Sequence, residues 1–246
     1  MPTRLDSVVF DAADPAGLAD FWATATGWPI TVEDPEVVVE PAANTSGRPV
    51  EAGLPLVFIP VADAKVGKNR VHLDLTSRSA AHQAELVERV RRAGATPLDI
   101  GQGAVPWIVL ADPEGNEFCI LEPRAEYAPA GAVAAIVLDA YDPAALTPFW
   151  EAATGWAAAP PSVHGHVRLV PPDGTGPRLE LLRNGDPKVA KNRVHLDVAP
   201  YADDDQAAEV ERLRALGGTE VDIGQGQQAW VVLADPEGNE MCVLGP

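Results

Sequence analysis

Positive charge is scarce in this chain. Eighteen Lys and Arg face 36 Asp and Glu, so the formal net charge is −18 and the isoelectric point lies near 4.5. A phosphate-binding surface needs a surplus of Lys and Arg, which speaks against nucleic acid and against anionic membranes as partners. A well-hydrated acidic surface accounts for the balance. No run of about 18 apolar residues is present, and the N-terminus lacks a charged-then-apolar leader, so a cytoplasmic location is expected. Cysteine is nearly absent as well. Cys119 and Cys242 each lie in an apolar run and read as buried strand residues, and a disulfide between them is not expected.

What the chain does have, it has twice. Lys68-Asn69-Arg70-Val71-His72-Leu73-Asp74 returns as Lys191 to Asp197, 123 residues later. At the same offset, Asp99 to Gly103 returns as Asp222 to Gly226, and Ala111 to Glu117 as Ala234 to Glu240. Asp14-Pro15-Ala16, Phe21-Trp22 and Gly27-Trp28 pair with Asp142-Pro143-Ala144, Phe149-Trp150 and Gly155-Trp156 at an offset of 128, so the repeats differ by a small insertion. A period this long exceeds the solenoid range of roughly 20 to 50 residues and means two homologous domains. The 246 residues, 46% of them apolar, suffice for two cores. Glu122 to Gly131, rich in Ala and Pro, marks the junction. The expected division is a first domain at 1–123, a linker at 124–131 and a second domain at 132–246.

Within a repeat the elements recur again. Leu5 to Asp11 reads as a strand, and Asp14-Pro15 and Gly27 bracket a helix of about three turns. Strand-like runs follow at Val37 to Glu40 and Leu54 to Pro60. A strand at Asn69 to Thr76 and a helix from Ser79 to Ala93, stopped by Gly94, restart the pattern. Strands at Val105 to Ala111 and Glu117 to Glu122 complete it. Each repeat is thus strand–helix–strands written twice, an α+β class.

Strand alternation assigns faces. Val71, Leu73 and Leu75 pack inward, which puts Arg70, His72 and Asp74 on the opposite face, with Arg193, His195 and Asp197 as counterparts. Three polar residues on one strand face line something wet. An imidazole near neutral pKa suits proton transfer, with Asp74 or Asp197 orienting it and Arg70 or Arg193 holding an anionic oxygen. Trp107 and Trp230 have the parity to line a cleft as stacking platforms. Cys119 and Cys242 are candidate ligand contacts, but no Lys or helix N-terminus stands beside either to activate the thiol. Trp22, Trp28, Trp150 and Trp156 are expected in the core. Asp112 to Asn116 reads as a tight turn. Gly101-Gln102-Gly103 precedes no helix and is no phosphate loop. His164 and His166 read as a solvated loop or edge.

These ordered motifs (Asp14, Phe21-Trp22, Gly27-Trp28, Val71-His72-Leu73-Asp74, Gly94-Ala95 and Asp112-Pro113-Glu114-Gly115-Asn116, all recurring) resemble the vicinal oxygen chelate superfamily of glyoxalases, bleomycin-resistance proteins and extradiol dioxygenases. The resemblance covers essentially the whole chain and implies tandem domains, each of two βαβββ modules forming a curled mixed sheet around a cleft with helices outside. The family's metal positions fall on Ser7 and Ala135, His72 and His195, Cys119 and Cys242, and Val57 and Glu180. Pairing across the repeats gives at best Glu180 with His72 and Cys119. The expectation is therefore no resident cofactor, with a divalent metal left to Glu180 and His72 as weak candidate ligands.

The leading reading is a glyoxalase- or bleomycin-resistance-like protein that binds a small, partly apolar metabolite or antibiotic-like ligand without metal. The alternative is an enzyme of the lyase, isomerase or dioxygenase kind, using a degenerate metal site or acid–base chemistry at His72 and His195. A purely structural module ranks last, since a scaffold gains nothing from Arg, His and Asp on an interior face. Tandem domains can pair within one chain, leaving either a monomer or a homodimer.

Overall fold

The structure, a computed structural model, describes residues 3–43, 53–160 and 166–245. Four modules follow one another. The first holds β1 (Thr3–Ala12), α1 (Pro15–Thr26), β2 (Ile30–Glu33), β3 (Glu36–Val39) and β4 (Leu56–Pro60). The second holds β5 (Val71–Leu75), α2 (Ala80–Arg92), β6 (Thr96–Pro97), β7 (Ile108–Ala111) and β8 (Glu117–Ile120). The third holds β9 (Val133–Ala140), α3 (Pro143–Thr154), β10 (Ala157–Ala158), β11 (Val167–Val170) and β12 (Arg178–Arg183). The fourth holds β13 (Val194–Pro200), α4 (Gln206–Ala215), β14 (Thr219–Glu220), β15 (Val231–Ala234) and β16 (Glu240–Val243).

Local chemistry explains the helix ends. The Asp14 carboxylate accepts from Gly17 N at 3.1 Å, Pro15 supplies the first helical φ, and Gly27 closes α1 at φ 80°, a left-handed conformation natural to glycine. Asp142 and Gly155 do the same for α3. The short strands β2 and β6 carry no apolar run: β2 is exposed throughout and β6 is Thr-Pro. The linker is more ordered than its composition suggests, forming a 3-10 helix at Ala125–Ala130 that buries Tyr127 and Ala130.

Two eight-stranded mixed sheets result, ordered β14-β15-β16-β13-β1-β4-β3-β2 and β10-β11-β12-β9-β5-β8-β7-β6. Each sheet contains two modules, one from each repeat. The first sheet joins modules one and four through the antiparallel pair β1–β13, and the second joins modules two and three through β5–β9. A module alone would leave the edge of β1 or β5 unpaired, and pairing across the repeats closes those edges. Pairing across the repeats, which the resemblance allowed, thus puts the two modules of each repeat in different sheets. Each sheet is completed within one chain.

One core spans both sheets and all four helices. Trp22 of α1 packs 5.4 Å from Phe10 of the first sheet and 5.3 Å from Phe118 of the second, ring centre to ring centre. Trp22 and Trp150 are fully buried, and each indole N–H is satisfied by the aspartate that opens the Asp-Pro-Glu-Gly-Asn turn, Asp112 at 3.2 Å and Asp235 at 3.1 Å. Replacing either with Ala should cost about 3–5 kcal/mol.

The duplicated motifs meet where the repeats join. Glu114 accepts from Ala13 N and Asp14 N at 2.9 and 2.8 Å and pairs with Arg193 at 2.5 Å. Glu237 accepts from Tyr141 N and Asp142 N at 2.6 and 2.7 Å and lies 3.4 Å from Arg70. The chain's four lysines, Lys65, Lys68, Lys188 and Lys191, all line one cavity of about 430 Å³ here. They pair with Glu117, Asp139, Glu240 and Asp11. All the lysines, with Arg70 and Arg193, are thus gathered into a clasp between the halves and balanced there.

Candidate active site

The concave face of each sheet carries the same floor. His72 and Asp74 alternate along β5, and the β5–β8 register sets Asp74 opposite Cys119. On the first sheet, Asp197 stands opposite Cys242, with His195 two residues before it. His72 Nε2 is 3.6 Å from Asp74 Oδ1, and His195 Nε2 is 3.5 Å from Asp197 Oδ1. One donor atom from each of His72, Asp74 and Cys119 lies within 4.8 Å of the others, and the same holds for His195, Asp197 and Cys242.

Burial dominates the electrostatics of both floors. It holds His72 and His195 down at about 3, helped by Lys68 and Lys191 respectively, so both imidazoles are neutral at neutral pH. It lifts Asp74 to about 7, with Glu180 adding to the rise, and Asp197 to about 7. The Cys119 and Cys242 thiols are pushed up by burial and then by Asp74 and Asp197, which leaves them unreactive as nucleophiles. The group that titrates near neutral pH is therefore the carboxyl and not the imidazole.

The walls differ. From His72 the cross-strand row runs to Val137, Glu180 and Arg168; from His195 it runs to Val9, Val57 and Val38. Glu180 accepts from Tyr127 Oη and, at 3.1 Å, from Arg168 Nε. The Tyr127 ring carries the Arg168 guanidinium at 5.6 Å and that of Arg124 at 6.0 Å, and Arg124 also covers Trp107 at 5.6 Å. Trp107 packs against the small cluster of Cys119, Leu121 and Tyr127. Its indole donates to Gln102 at 2.8 Å, as Trp230 does to Gln225 at 3.0 Å, so the Gly-Gln-Gly segment works as a tether for the tryptophan.

Several expectations change on this geometry. Arg70 and Arg193 sit in the clasp. Arg70 donates to Asn239, the Asp139 carbonyl and the Asp186 carbonyl at 2.7, 2.7 and 3.1 Å, and Arg193 to the Asp63 carbonyl and Glu114 at 2.5 Å each. Neither guanidinium has the free fork that a substrate oxygen would need. Glu180 does not join His72 and Cys119, because Tyr127 and Arg168 hold its carboxylate; Asp74 stands there instead. His166, expected in solvent, has a side chain only 12% exposed and lies 3.6 Å from Glu180. His164 falls outside the described residues.

Arg124, Tyr127 and Arg168 were not singled out from the sequence. The one visible signal was Arg168 at i+2 from His166, on a strand where the sister repeat reads apolar residues such as Val37 and Val38.

The His72–Asp74–Cys119 donors suit a divalent metal. Nitrogen, oxygen and sulfur converge from two strands in the number that leaves one position open. Asp74 Oδ1, 3.6 Å from His72 Nε2, is buried without a hydrogen bond among the described residues, and an ion there would satisfy it.

A family model described as a glyoxalase-like domain matches residues 7–121 and again 135–244. Among solved structures, glyoxalase I from Zea mays superposes with a TM-score of 0.67 at 14% identity, over 99% of this chain and 92% of that one. A protein of Bacillus subtilis subsp. subtilis str. 168, provisionally described as a dioxygenase, superposes at 0.62 with 14% identity, over 99% and 85%. At these identities the likeness is one of fold. No curated protein sequence matches the chain. With two copies of the domain spanning nearly its whole length, the chain belongs to the glyoxalase-like family of the vicinal oxygen chelate superfamily.

Proposed function

We propose that the chain binds a small, partly apolar molecule on the concave face of the second sheet, between Trp107 and Glu180. The carrying observation is the asymmetry of the cross-strand rows: from His72 the row passes Val137 to Glu180 and Arg168, whereas from His195 it holds Val9, Val57 and Val38. Trp107, partly exposed, offers a ring face, while Arg168 and Glu180, held by Tyr127, fix orientation by paired charge. A vicinal diol on an aromatic ring matches that combination, and 4-nitrocatechol reports its own binding by absorbance. The expected result is a saturable spectral shift, weakened about tenfold by Trp107→Ala, where loss of a stacked ring removes a dominant contact. No shift at any concentration, or one insensitive to Trp107→Ala, overturns the reading.

A second reading, catalysis of the lyase, isomerase or dioxygenase kind, is favoured by the convergent floor. His72, Asp74 and Cys119 would hold the metal, which when bound would polarise a substrate oxygen or activate water. Asp74 then serves as a ligand in its ionised form. Without metal, its carboxyl near 7 is the group placed to take and return a proton, with neutral His72 beside it. Elemental analysis after incubation with zinc, manganese, iron and nickel separates the two. Stoichiometric retention lost in Asp74→Asn supports the chelate, and no retention leaves Asp74 as the acid–base group.

A further inference from the structure

A cavity of about 830 Å³ lies between the C-terminal end of β5, helix α2 and the linker, and it shares Arg124 and Tyr127 with the wall of the second sheet's floor. Three arginines line it, Arg78, Arg89 and Arg124, against a single carboxylate, Glu122, which Arg124 engages at 2.7 Å. In a chain of net charge −18, a cavity with a surplus of positive charge runs against the composition.

The two repeats show how that surplus arose. In the fourth module, Arg212 is fully employed: it donates to Glu209 at 2.7 Å, to Thr3 Oγ1 at 3.1 Å and to the Ala152 carbonyl at 3.0 Å. Arg89 is the same position, 123 residues earlier. There the counterpart of Glu209 is Leu86 and the counterpart of Thr3 is Gly131, and both of these residues line the cavity. Arg89 keeps only a carbonyl partner, Ala25 at 3.0 Å, and Arg78 has no ion pair among the described residues. Both arginines are exposed and so are solvated, but they stand on the wall of one cavity with no carboxylate among the described residues engaging either, an arrangement open to a shared oxyanion.

We propose that this cavity is a binding site for a small organic oxyanion, a carboxylate or phosphate on a compact apolar body, distinct from the site between Trp107 and Glu180. Arg78 and Arg89 take the head group, and Leu86, Leu121 and Pro129 receive the body. The field of the two arginines is already felt by His82 on the same wall, which burial and then Arg78 and Arg89 push downward. The volume falls within the range of about 300–1,000 Å³ usual for small-molecule pockets.

Calorimetry with phenyl phosphate and with benzoate at low ionic strength tests the site, and the tighter of the two identifies the head group. The expected result is saturable binding that Arg89→Gln weakens about tenfold, the loss of one charge-assisted contact. Leu86→Glu, which writes the other repeat's own ion pair into this one, should quench binding as well. Arg91→Gln, exposed on the same helix and outside the cavity, should leave it unchanged. If neither compound binds, or if the affinity in folded Arg89→Gln equals that of the parent, the proposal is overturned.

Discussion

On the first sheet the row outward from His195 is Val9, Val57 and Val38; on the second, the row from His72 is Val137, Glu180 and Arg168. The floors are otherwise alike, down to the two carboxyls near 7 and the two imidazoles near 3. Topology explains why only one wall became polar. A glutamate set among strands and shut off from water is costly unless it is paired. The linker joins β8 to β9, two strands of the same sheet, so its Tyr127 and Glu126 reach that face alone. Tyr127 satisfies Glu180, and Glu126 helps hold Arg168 at 3.2 Å. The two repeats carry the same floor, and the segment between them distinguishes the walls.

The strongest test of the comparison is one in which the halves should behave alike. Arg70→Ala and Arg193→Ala each take one cation from a half-buried glutamate, which keeps its two backbone donors, and leave clasp carbonyls without that donor. Each should cost about 1–3 kcal/mol of stability, read from the urea midpoint. If Arg70→Ala instead left the midpoint in place and removed ligand binding, the clasp assignment would be wrong and Arg70 would belong to the cleft.

Comparable in size is a pH effect, measured on metal-free protein. Folded Asp74 keeps its proton up to about 7, whereas the unfolded carboxyl releases it near 3.8. Between those values the folded chain binds more protons, so this group makes stability fall as pH rises. His72 acts oppositely. Its folded pKa is about 3 against an ordinary 6.5, so the unfolded chain binds more protons and stability rises with pH. In the parent the two nearly cancel between the overlapping limits. Asp74→Asn removes one of them, and the variant should gain on the parent by up to about 1.4 kcal/mol per pH unit as pH climbs from 4 to 7. Asp197→Asn should gain similarly. In a Glu180→Gln background the Asp74→Asn gain should shrink while the Asp197→Asn gain stays, because Glu180 raises only the former.

Glu180→Val writes the first wall into the second sheet. Tyr127 Oη and Arg168 then lose their acceptor, and the loss should be about 2 kcal/mol, since Arg168 is partly solvated. Adding Arg168→Val should recover part of that loss in a double-mutant cycle, with a coupling of about 1–2 kcal/mol. Strict additivity would show that the pair does not hold the wall together.

The repeats, the modules and the floor were legible in the sequence because they rest on local signals. Asp-Pro before an apolar helix, Gly after it, and alternation in Val-His-Leu-Asp each act within a few residues. The asymmetry was not legible, because it rests on contacts between distant segments. Tyr127 in an Ala- and Pro-rich stretch reads as a spacer residue until β9 is seen lying beside β5. Arg70 shares the parity of His72, and parity says nothing of Asn239 and Glu237, which reach it from the other repeat. Asp74 read as a companion of His72. Only the β5–β8 register, which brings Cys119 alongside, made it a third convergent donor.

The smallest expected difference concerns the tethered tryptophans. Gln102→Ala and Gln225→Ala each remove one indole hydrogen bond, worth about 1 kcal/mol or less at these partly exposed sites. The consequences for the rings should differ. Arg124 also holds Trp107 by lying over its face, and Trp230 has no such cation among the described residues. Trp107 should therefore keep its position in Gln102→Ala, while Trp230 swings toward solvent in Gln225→Ala. Emission should shift to longer wavelength in Gln225→Ala and stay nearly fixed in Gln102→Ala until Arg124→Ala is added. Equal shifts in the two single variants would mean that the arginine stack contributes nothing to the second sheet's wall.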